Sequence, residues 1–482
     1  MADLTLAQQI GQFATANTFD RLPDDVVDSV RKRVLDILGI CVAASSLDSS
    51  RSAQGFVADQ GGSAQAHAIG MSVKVPASMA AFMNGVLAHS LDYDDTHLPS
   101  VLHPSASIIP AALAVAESTG ANGKETIAAI ACGLEVCVRL GMAGYDEQSH
   151  NSVFFDHGQH ATSICGALGA AVSAGLLYGF DAEQITHTLG VAASMASGII
   201  ESNRTGGTVK RMHCGWAAHA AVSAAQLVRH GFTGPPTVLE GRFGFFEAWL
   251  HGQFNAAAIS EGLGVEWAVP GIFFKPYPAN HFTHTVIDAA SALRRRGVDL
   301  DEIEAMELGV AAPIVHTLGE PIEVKRSPET GYMAQFSGPY AVVAGLLGGG
   351  GLEVGLGDYT DELARDPRRR QLMQLVSVKA DERCSEIFPN QFPSVLRVRL
   401  RGGEEMVEEV MTNRGGPQRP LSYDELAAKF SDNSVEMLGP ETVQLVRALV
   451  ARLEELQDIG ELLSPLTVLT RTPSDFHTQQ TK

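Results

Sequence analysis

Apolar residues recur every three or four positions from Asp24 to Cys41, and this spacing predicts a helix over that stretch. Asp24 or Asp25 could cap its start. Other segments, rich in Ala, Ile, Leu and Met, are apolar on nearly every side, which predicts helices buried within a larger bundle. These segments run over 76–90, 108–119, 123–142, 161–178, 182–199 and 215–231. Frequent Ala and Gly would let such helices approach closely.

The pattern changes near residue 268, where prolines interrupt the helical spacing. Apolar and polar residues alternate over 303–310, 376–380 and 395–400, which predicts half-buried strands. Helical patterns lie between and after them, over 283–296, 336–348, 358–375, 422–430, 440–455 and 456–463. This order predicts a mainly α protein in which a discontinuous all-helical domain, 1–270 and 415–482, is interrupted by a smaller α/β (α+β) domain over 271–414.

Composition narrows the class of protein. With 55 acidic and 35 basic residues the formal net charge is −20, so neither nucleic acid nor an anionic membrane surface is an expected partner. The six cysteines form no CxxC pair, which is typical of free thiols in a reducing compartment. No signal peptide and no apolar run of about 18 residues is visible. We therefore expect a cytoplasmic protein.

A first polar cluster follows the apolar segment 76–90, in His89-Ser-Leu-Asp-Tyr-Asp-Asp-Thr-His97 and then His103. Aspartates and histidines at the end of a buried helix could act as general base, general acid or metal ligands. The alternative is a solvated turn whose Asp and Thr side chains cap the next helix. The residues concerned are Asp92, Asp94, Asp95, Thr96, His97 and His103.

A second cluster is the glycine-containing stretch 204–215, which carries Arg204, Lys210 and His213 before an apolar segment. Backbone N–H groups and cations at a helix start favour a carboxylate or phosphate. The spacing is not that of a P-loop. A solvent-facing basic turn is the equally weighted alternative.

A third cluster, over 273–284, lies at the predicted domain crossing and contains Lys275, His281 and His284. Clefts between domains are common ligand sites, whereas a proline-stiffened linker is the alternative. His160 and Tyr340 are further candidates, although either alone is more often a buried core residue than a catalyst. The sequence has no convergent cysteine set for an iron–sulfur cluster, no dinucleotide fingerprint, no GxSxG elbow and no HExxH helix.

Four motifs in order, LAHSLDYDDTH…HPSA, GTVKRMHCGWAAHAA, GFTGPPTVLEGRFGFF and KPYPANHFTH, resemble those of the MmgE/PrpD family over about residues 5 to 460. That family contains 2-methylcitrate dehydratase, cis-aconitate decarboxylase and iminodisuccinate epimerase. The resemblance implies a discontinuous helical domain with an α/β lid domain, an active site between the domains, a homodimer, and no metal or organic cofactor.

The resemblance also implies site residues. The sequence departs from the family pattern at Ala161, where the family has Pro, and at Asn280, where the decarboxylases have His, so that His281 is the candidate replacement. The loop between Thr96 and His103 is one residue longer than in the decarboxylases. The implied catalytic residues are Asp92, His103, His160, Lys210 and Tyr340, and the expected substrate-binding residues are Thr96, Arg204, His213, Lys275, His281 and His284.

These residue types suit proton abstraction next to a carboxylate, with cations holding the charge that develops. We therefore expect a cofactor-independent lyase acting on a small di- or tricarboxylate, a dehydratase of the 2-methylcitrate type first, with a decarboxylase or an epimerase as alternatives. Two alternatives belong to other classes. One is a metal-dependent hydrolase using the aspartates and histidines of the first cluster, and the other is a carboxylate-binding protein without catalysis.

Overall fold

The computed structural model describes residues 4–148 and 151–469, which form two compact units. Unit 1 comprises the described residues up to Ile272 together with those from Ser434 to 469. Unit 2 comprises Phe273–Asn433. The chain is 58% helix with a small mixed sheet, which confirms the prediction of a mainly α protein. The boundary at 433/434 lies within a helix and beyond the crossing predicted at 414/415.

Unit 1 is built from helices that pack mostly on one another. Helix α9 contacts α4, α5 and α7, and α7 in turn contacts α5 and α6. The helices are α1 Leu6–Ala16, α2 Asp24–Ala44, α3 Asp48–Gln60, α4 Ala77–His89, α5 Ser105–Thr119, α6 Gly123–Ala143, α7 Ala161–Leu177, α8 Ala182–Met195 and α9 Val209–Arg229. Shorter helices span Val153–Asp156, Ser202–Thr205, Phe245–Leu250, Ala257–Ser260 and Gly460–Leu463, and a two-stranded hairpin joins β1 Tyr145–Asp146 to β2 Asn151–Ser152.

Unit 2 contains a four-stranded sheet in the order β4-β3-β5-β6. Strand β3 pairs in parallel with β4 and antiparallel with β5, and β5 pairs antiparallel with β6. Helix α10 packs on β5 and β6 and against α12. The strands are β3 Ile303–Val310, β4 Val376–Ala380, β5 Ser394–Leu400 and β6 Glu405–Val410. The longer helices are α10 His284–Arg295, α11 Ala312–Gly319 and α12 Gly338–Leu347, followed by α13 Tyr423–Leu438, which crosses the boundary, and α14 Pro440–Ala451 in unit 1.

Two predicted helices differ from the structure, and one strand was not predicted. The helix predicted over 215–231 begins earlier, at Val209, because two polar turns precede its apolar face. The helix predicted over 358–375 is wrong: the segment is broken into Asp361–Ala364 and Pro367–Met373, each started by its own cap. The side chains of Thr360 and Asp366 accept hydrogen bonds from backbone N–H groups there and begin new helices. Strand β6 was not predicted.

Close packing of α4 on α9 depends on two glycines, and this packing forms the site described below. A Cβ atom at Gly215 of α9 would lie 2.5 Å from the carbonyl oxygen of Phe82, and one at Gly85 of α4 would lie 2.7 Å from Cα of Gly215. Neither helix can therefore carry a larger residue at the crossing without moving apart.

Two expectations about chemistry can be compared with the structure. All six cysteines are buried free thiols, as predicted. The sequence showed no long apolar run, yet α6 is long and apolar enough to cross a membrane by length and composition. Its apolar window is 94% buried, as in a core helix, and no other helix of the described residues passes the same test.

Candidate functional site

The polar residues of unit 1 meet where α4 ends, where the loop 90–104 runs, and where α7 and α9 begin. Four imidazole rings form a continuous series there: His103, His89, His160 and His213. Their ring centroids are 5.3 Å apart for His103 and His89, 5.5 Å for His89 and His160, and 5.0 Å for His160 and His213. His89 is the last residue of α4, His160 precedes α7, and His213 lies near the start of α9. Sequence positions over 120 residues apart thus build one cluster.

His89 carries the positive charge of this cluster. Its Nδ1 lies 2.8 Å from Oδ2 of Asp94, and both side chains are buried. Burial alone would lower the pKa of His89, but the charge of Asp94 and its hydrogen bond, with a smaller contribution from Cys214, raise that pKa to about 10. His89 is therefore an imidazolium at neutral pH, paired with a carboxylate.

His160 and His213 form a neutral pair. Their Nδ1 atoms lie 2.9 Å apart, so one nitrogen donates and the other, which carries no proton, accepts. Burial and the charges of His89 and Lys210 lower the pKa of His213 to about 4. Burial, with the charges of His89, Lys210 and the other histidines, lowers the pKa of His160 well below its ordinary value. Two uncharged imidazoles thus lie next to one charged imidazole.

His103 has its tautomer set by the loop. Its Nδ1 lies 2.6 Å from the carbonyl oxygen of Asp95 and 3.2 Å from Oγ1 of Thr96. Because a carbonyl oxygen only accepts, Nδ1 of His103 carries a proton, and Nε2 is the basic nitrogen of the neutral ring. The residue is half-buried. The geometry therefore suits His103 for proton transfer.

Lys210 and Asp92 lie at the accessible edge of the site. Nζ of Lys210 is 3.8 Å from Oδ1 of Asp92, and their side chains are 31% and 30% exposed. The second cluster was expected to be a loop, but Lys210 lies in the first turn of α9. Asp92 has a φ of +52°, a left-handed conformation that residues other than glycine adopt rarely and often at functional sites.

Asp95 connects the loop 90–104 to α2 and to the start of α5. Arg33 of α2 donates to its Oδ2 at 2.6 Å, and the same guanidinium donates to the carbonyl oxygen of Ile272 at 2.6 Å. The backbone N–H of Ser105 donates to Oδ1 of Asp95 at 3.2 Å. Both charged side chains are buried, so this pair fixes the loop against α2 and α5.

The donors of the first cluster do not fit a metal ion. Each of these side chains already has a protein partner. Asp94 contacts His89, and Asp95 contacts Arg33. Nδ1 of His97 lies 2.7 Å from Oγ of Ser100. Over residues 4–148 and 151–469, no three His, Cys, Asp or Glu side chains are placed to hold a cation. The arrangement does not favour the metal-dependent hydrolase alternative.

Three predicted binding residues belong to unit 2. Lys275 is buried, and its carbonyl oxygen accepts from Nζ of Lys429 at 2.8 Å. The rings of His281 and His284 stack with centroids 4.5 Å apart. Oδ1 of Asn280, at the position where the decarboxylases have His, accepts from the backbone N–H of Phe282 at 3.0 Å. Asn280 thus caps the helical turn that carries His281, and His284 begins α10 directly after that turn.

Tyr340 and Arg204 have the surroundings that the sequence analysis gave as their alternatives, a buried core position and an exposed basic segment. The hydroxyl of Tyr340 is buried, donates to the carbonyl oxygen of Asp358 and lies 3.4 Å from Nη1 of Arg369. Burial raises the pKa of Tyr340 to about 12 although Arg369 opposes the shift. These contacts indicate a packing role in unit 2. Arg204 is exposed on the short helix Ser202–Thr205.

The structure thus brings six predicted residues together in unit 1. They are Asp92, Thr96, His103, His160, Lys210 and His213. The first cluster included His89 and Asp94, but the sequence did not predict that these two side chains pair with each other. A signal was available, because His89 ends an apolar helix immediately before the aspartates, but the pairing depends on the turn at Asp92.

Comparisons with known proteins agree with these motifs. The model of the MmgE/PrpD N-terminal domain matches residues 8–257, and that of the MmgE/PrpD C-terminal domain matches 277–455. The chain is 27% identical to cis-aconitate decarboxylase of Homo sapiens over 94% of this chain and 92% of that protein. It is 24% identical to cis-aconitate decarboxylase of Aspergillus terreus strain NIH 2624 over 96% of each. It is 24% identical to the mitochondrial 2-methylcitrate dehydratase of Yarrowia lipolytica over 66% of this chain and 61% of that protein.

Proposed function

The chain belongs to the MmgE/PrpD family, and we propose that it is a lyase that removes CO2 from a small tricarboxylate such as cis-aconitate, without a metal or organic cofactor. Its relatives named above are enzymes, a decarboxylase and a dehydratase, and both are lyases. From the sequence alone we expect the dehydratase first. We reverse that order because the relatives named as decarboxylases match almost the whole chain, whereas the dehydratase matches two thirds of it.

The proposed reaction has simple requirements. Cis-aconitate has a carboxymethyl group beside a carbon–carbon double bond that is conjugated to another carboxylate. When the carboxymethyl group loses CO2, its bonding electrons move across the allyl system to the carbon beside that other carboxylate. One proton is then added at this carbon. The enzyme must therefore hold carboxylates with cations, stabilise the charge that develops and supply a proton.

One observation carries the proposal: a lysine at the accessible edge lies beside uncharged imidazoles and a buried imidazolium. Lys210 would bind a substrate carboxylate, exchanging its contact with Asp92 for one with the substrate. His103, half-buried and with a defined tautomer, is the proposed proton donor or acceptor. The buried floor of α4, α7 and α9 excludes water, which strengthens these charge interactions.

Dehydration is the second candidate, and the Yarrowia lipolytica relative supports it. A base would remove a proton beside a carboxylate, and an acid would then protonate the departing hydroxide. A neutral imidazole beside a cationic lysine suits both steps. An epimerase would instead return the proton on the opposite face, and the experiment below distinguishes all three.

The test is NMR of purified protein with cis-aconitate, 2-methylcitrate and related polycarboxylates in D2O. We expect cis-aconitate to lose CO2 and its product to contain one solvent deuterium on the newly protonated carbon. Loss of water from 2-methylcitrate instead would favour the dehydratase, and exchange with inversion would favour the epimerase. Absence of turnover across the panel, with tight binding, would contradict the proposal and favour the carboxylate-binding alternative. Activity abolished by a chelator would restore the hydrolase alternative.

Lys210 can be tested with a matched lysine. Lys210→Ala should lose about 100-fold or more in kcat/KM, comparable to the loss of one preorganised donor. Lys124→Ala is the control, because Lys124 is likewise the second residue of a 21-residue helix but pairs with Asp20 at the surface. The control should keep its activity. Equal kcat/KM in the two variants would remove Lys210 from the site.

The family resemblance also leads us to propose a homodimer. Light scattering of the purified protein should give twice the 51.1 kDa mass of one chain. A mass equal to one chain would contradict this proposal.

A further inference from the structure

The pair of His89 and Asp94 lies at the centre of the site, yet the proposed proton transfer assigns it no role. The two side chains are 1% and 0% exposed, and Nδ1 of His89 lies 2.8 Å from Oδ2 of Asp94. Taking an imidazolium and a carboxylate out of water is costly, and apolar residues of similar size often give equal or greater stability. A buried ion pair among site residues therefore points to function more than to stability.

Four neighbouring segments contribute groups that interact with His89 or Asp94. His103 on the loop and His160 before α7 contact its ring, with centroids 5.3 Å and 5.5 Å away. Cys214 on α9 interacts with His89, and Cys41 on α2 is close enough to Asp94 for its thiol to sense that charge. Lys210, at the edge, adds a second positive charge that acts on His160 and His213.

We propose that His89, held by Asp94, is a positioning residue of the active site: its ring contacts those of both His103 and His160, and its fixed positive charge, together with burial, keeps the His160–His213 pair neutral. This inference rests on the proposed lyase function for its catalytic consequence. Its electrostatic part stands on the geometry of unit 1 alone.

The geometry explains why His89 is charged whereas His160 and His213 are neutral. Asp94 compensates the charge of His89 at Nδ1, whereas the ring of His160 lies 5.5 Å from the ring of His89. A second imidazolium at this distance would be repelled in a medium from which water is excluded. The directions of the pKa shifts agree, since burial first and the charge of His89 second lower the pKa of both His160 and His213.

The catalytic consequence concerns the number of protons in the site. A neutral His160–His213 pair has one Nδ1 proton between the two rings and keeps a basic nitrogen. Such a pair can take up a proton or orient a substrate carboxylate by donation. Without the charge of His89, protonation of the pair becomes easier, and its basic nitrogen is lost at a higher pH.

The test combines histidine NMR with pH–rate profiles. In 15N-histidine-labelled full-length protein, His89 should give an imidazolium signal from about pH 6 to about 8.5, beyond the range where an ordinary histidine titrates. His89→Gln removes its charge, and Asp94→Asn, an isosteric change, should return His89 to the neutral form. In His89→Gln the signals of His160 and His213 should titrate at higher pH than in the wild type.

The pH dependence of the rate should change together with the titration of His160 and His213. His89→Gln should lower kcat about tenfold or more with a smaller change in KM, and should shift the acid limb of kcat/KM upward. A merely structural role would not move that limb. His97→Gln is the control, because His97 lies on the loop that follows His89, has its own partner, Ser100, and is not one of the four rings of the series. It should leave the limb in place.

Two results would overturn the inference: a neutral His89 in the wild type, or unchanged titration of His160 and His213 in His89→Gln. If His89→Gln does not fold, the wild-type signal and Asp94→Asn still decide the charge of the pair. The NMR measurements need no substrate, so they stay decisive if the polycarboxylate panel shows no turnover. In that case the proposed function fails separately from the electrostatic inference.

Discussion

Gly215→Ala is a small change that should disturb the site through the packing of two helices. Gly215 of α9 faces Phe82 and Val86 of α4, and an added Cβ would lie 2.5 Å from the carbonyl oxygen of Phe82 and 2.5 Å from Cγ2 of Val86. Ordinary van der Waals contact begins at 3.4 Å. The side chain of Val86 can rotate, but the carbonyl is backbone, so the helices must separate by about 1 Å at the crossing.

The magnitude follows from two opposing effects. Overpacking of this kind costs about 1–3 kcal/mol. Alanine recovers about 0.5–1 kcal/mol over glycine inside a helix because it restricts the unfolded chain. The midpoints of these two ranges give a net loss of about 1 kcal/mol in the free energy of unfolding. Because α4 carries His89 and α9 carries His213, a displacement of about 1 Å should also lower kcat/KM by about 100-fold.

The assay compares Gly215→Ala with Gly55→Ala. Gly55 is likewise inside a helix, α3, but an added Cβ there meets no atom within 4 Å. Gly55→Ala should raise the thermal midpoint slightly and leave kcat/KM unchanged, whereas Gly215→Ala should lower both. If Gly215→Ala is as stable and active as Gly55→Ala, the close approach of α4 and α9 does not position the histidines.

Two further predictions concern buried charge and pH. Asp95→Ala should lower the free energy of unfolding, measured in urea, by about 3–5 kcal/mol because it leaves Arg33 buried without this carboxylate. The control Asp48→Ala removes a partner from a more exposed ion pair and should cost less than about 1 kcal/mol. Similar losses in the two variants would contradict the argument from burial. Since the pKa of His213 falls to about 4 in the folded state from an ordinary 6.5, the unfolded state binds more protons between these values, and stability should fall as the pH drops from 6.5 to 4. His213 contributes about 3 kcal/mol to this loss, and His97, whose pKa burial and Arg33 also lower to about 4, acts in the same direction. Urea midpoints measured across this range that stay constant would refute the lowered pKa values.

The apolar helices of unit 1 were predictable because a helix that is buried on nearly all sides consists almost entirely of apolar residues. Helices α4, α6 and α7 each begin and end within a few residues of the predicted bounds. The start of α9 was not predictable, because its first turns carry Lys210, Arg211 and His213 and show no apolar face. Strand β6 was missed for a related reason: it lies at the sheet edge with exposed glutamates and only partly buried alternate residues.

Which polar residues of this loop lie close together was partly predictable, but how they pair was not. The first cluster stands out in the sequence because polar residues follow an apolar helix, and the family resemblance singled out Asp92, Thr96 and His103 within it. The partnership of His89 with Asp94 arises across the end of α4, where the left-handed conformation of Asp92 reverses the chain. No periodic pattern encodes such a turn. Likewise the contact between His160 and His213 joins residues on two helices and depends on the fold as a whole.

The three aspartates of the loop show why a run of acids need not be a metal site. Each one meets a cation from a different helix: Asp95 meets Arg33 of α2, Asp94 meets His89 of α4, and Asp92 meets Lys210 of α9. The first two pairs are buried, so exchanging either partner for a ligand would leave a charge uncompensated.

The third pair is about a third exposed and 3.8 Å apart, which makes it the weakest of the three and the most readily exchanged. On the proposed function, a substrate carboxylate that takes the place of Asp92 at Lys210 would keep the lysine paired and release Asp92 for proton transfer. The two buried pairs would hold the loop in place during this exchange. We therefore propose that Asp94 and Asp95 support the loop and that Asp92 is the aspartate available for chemistry.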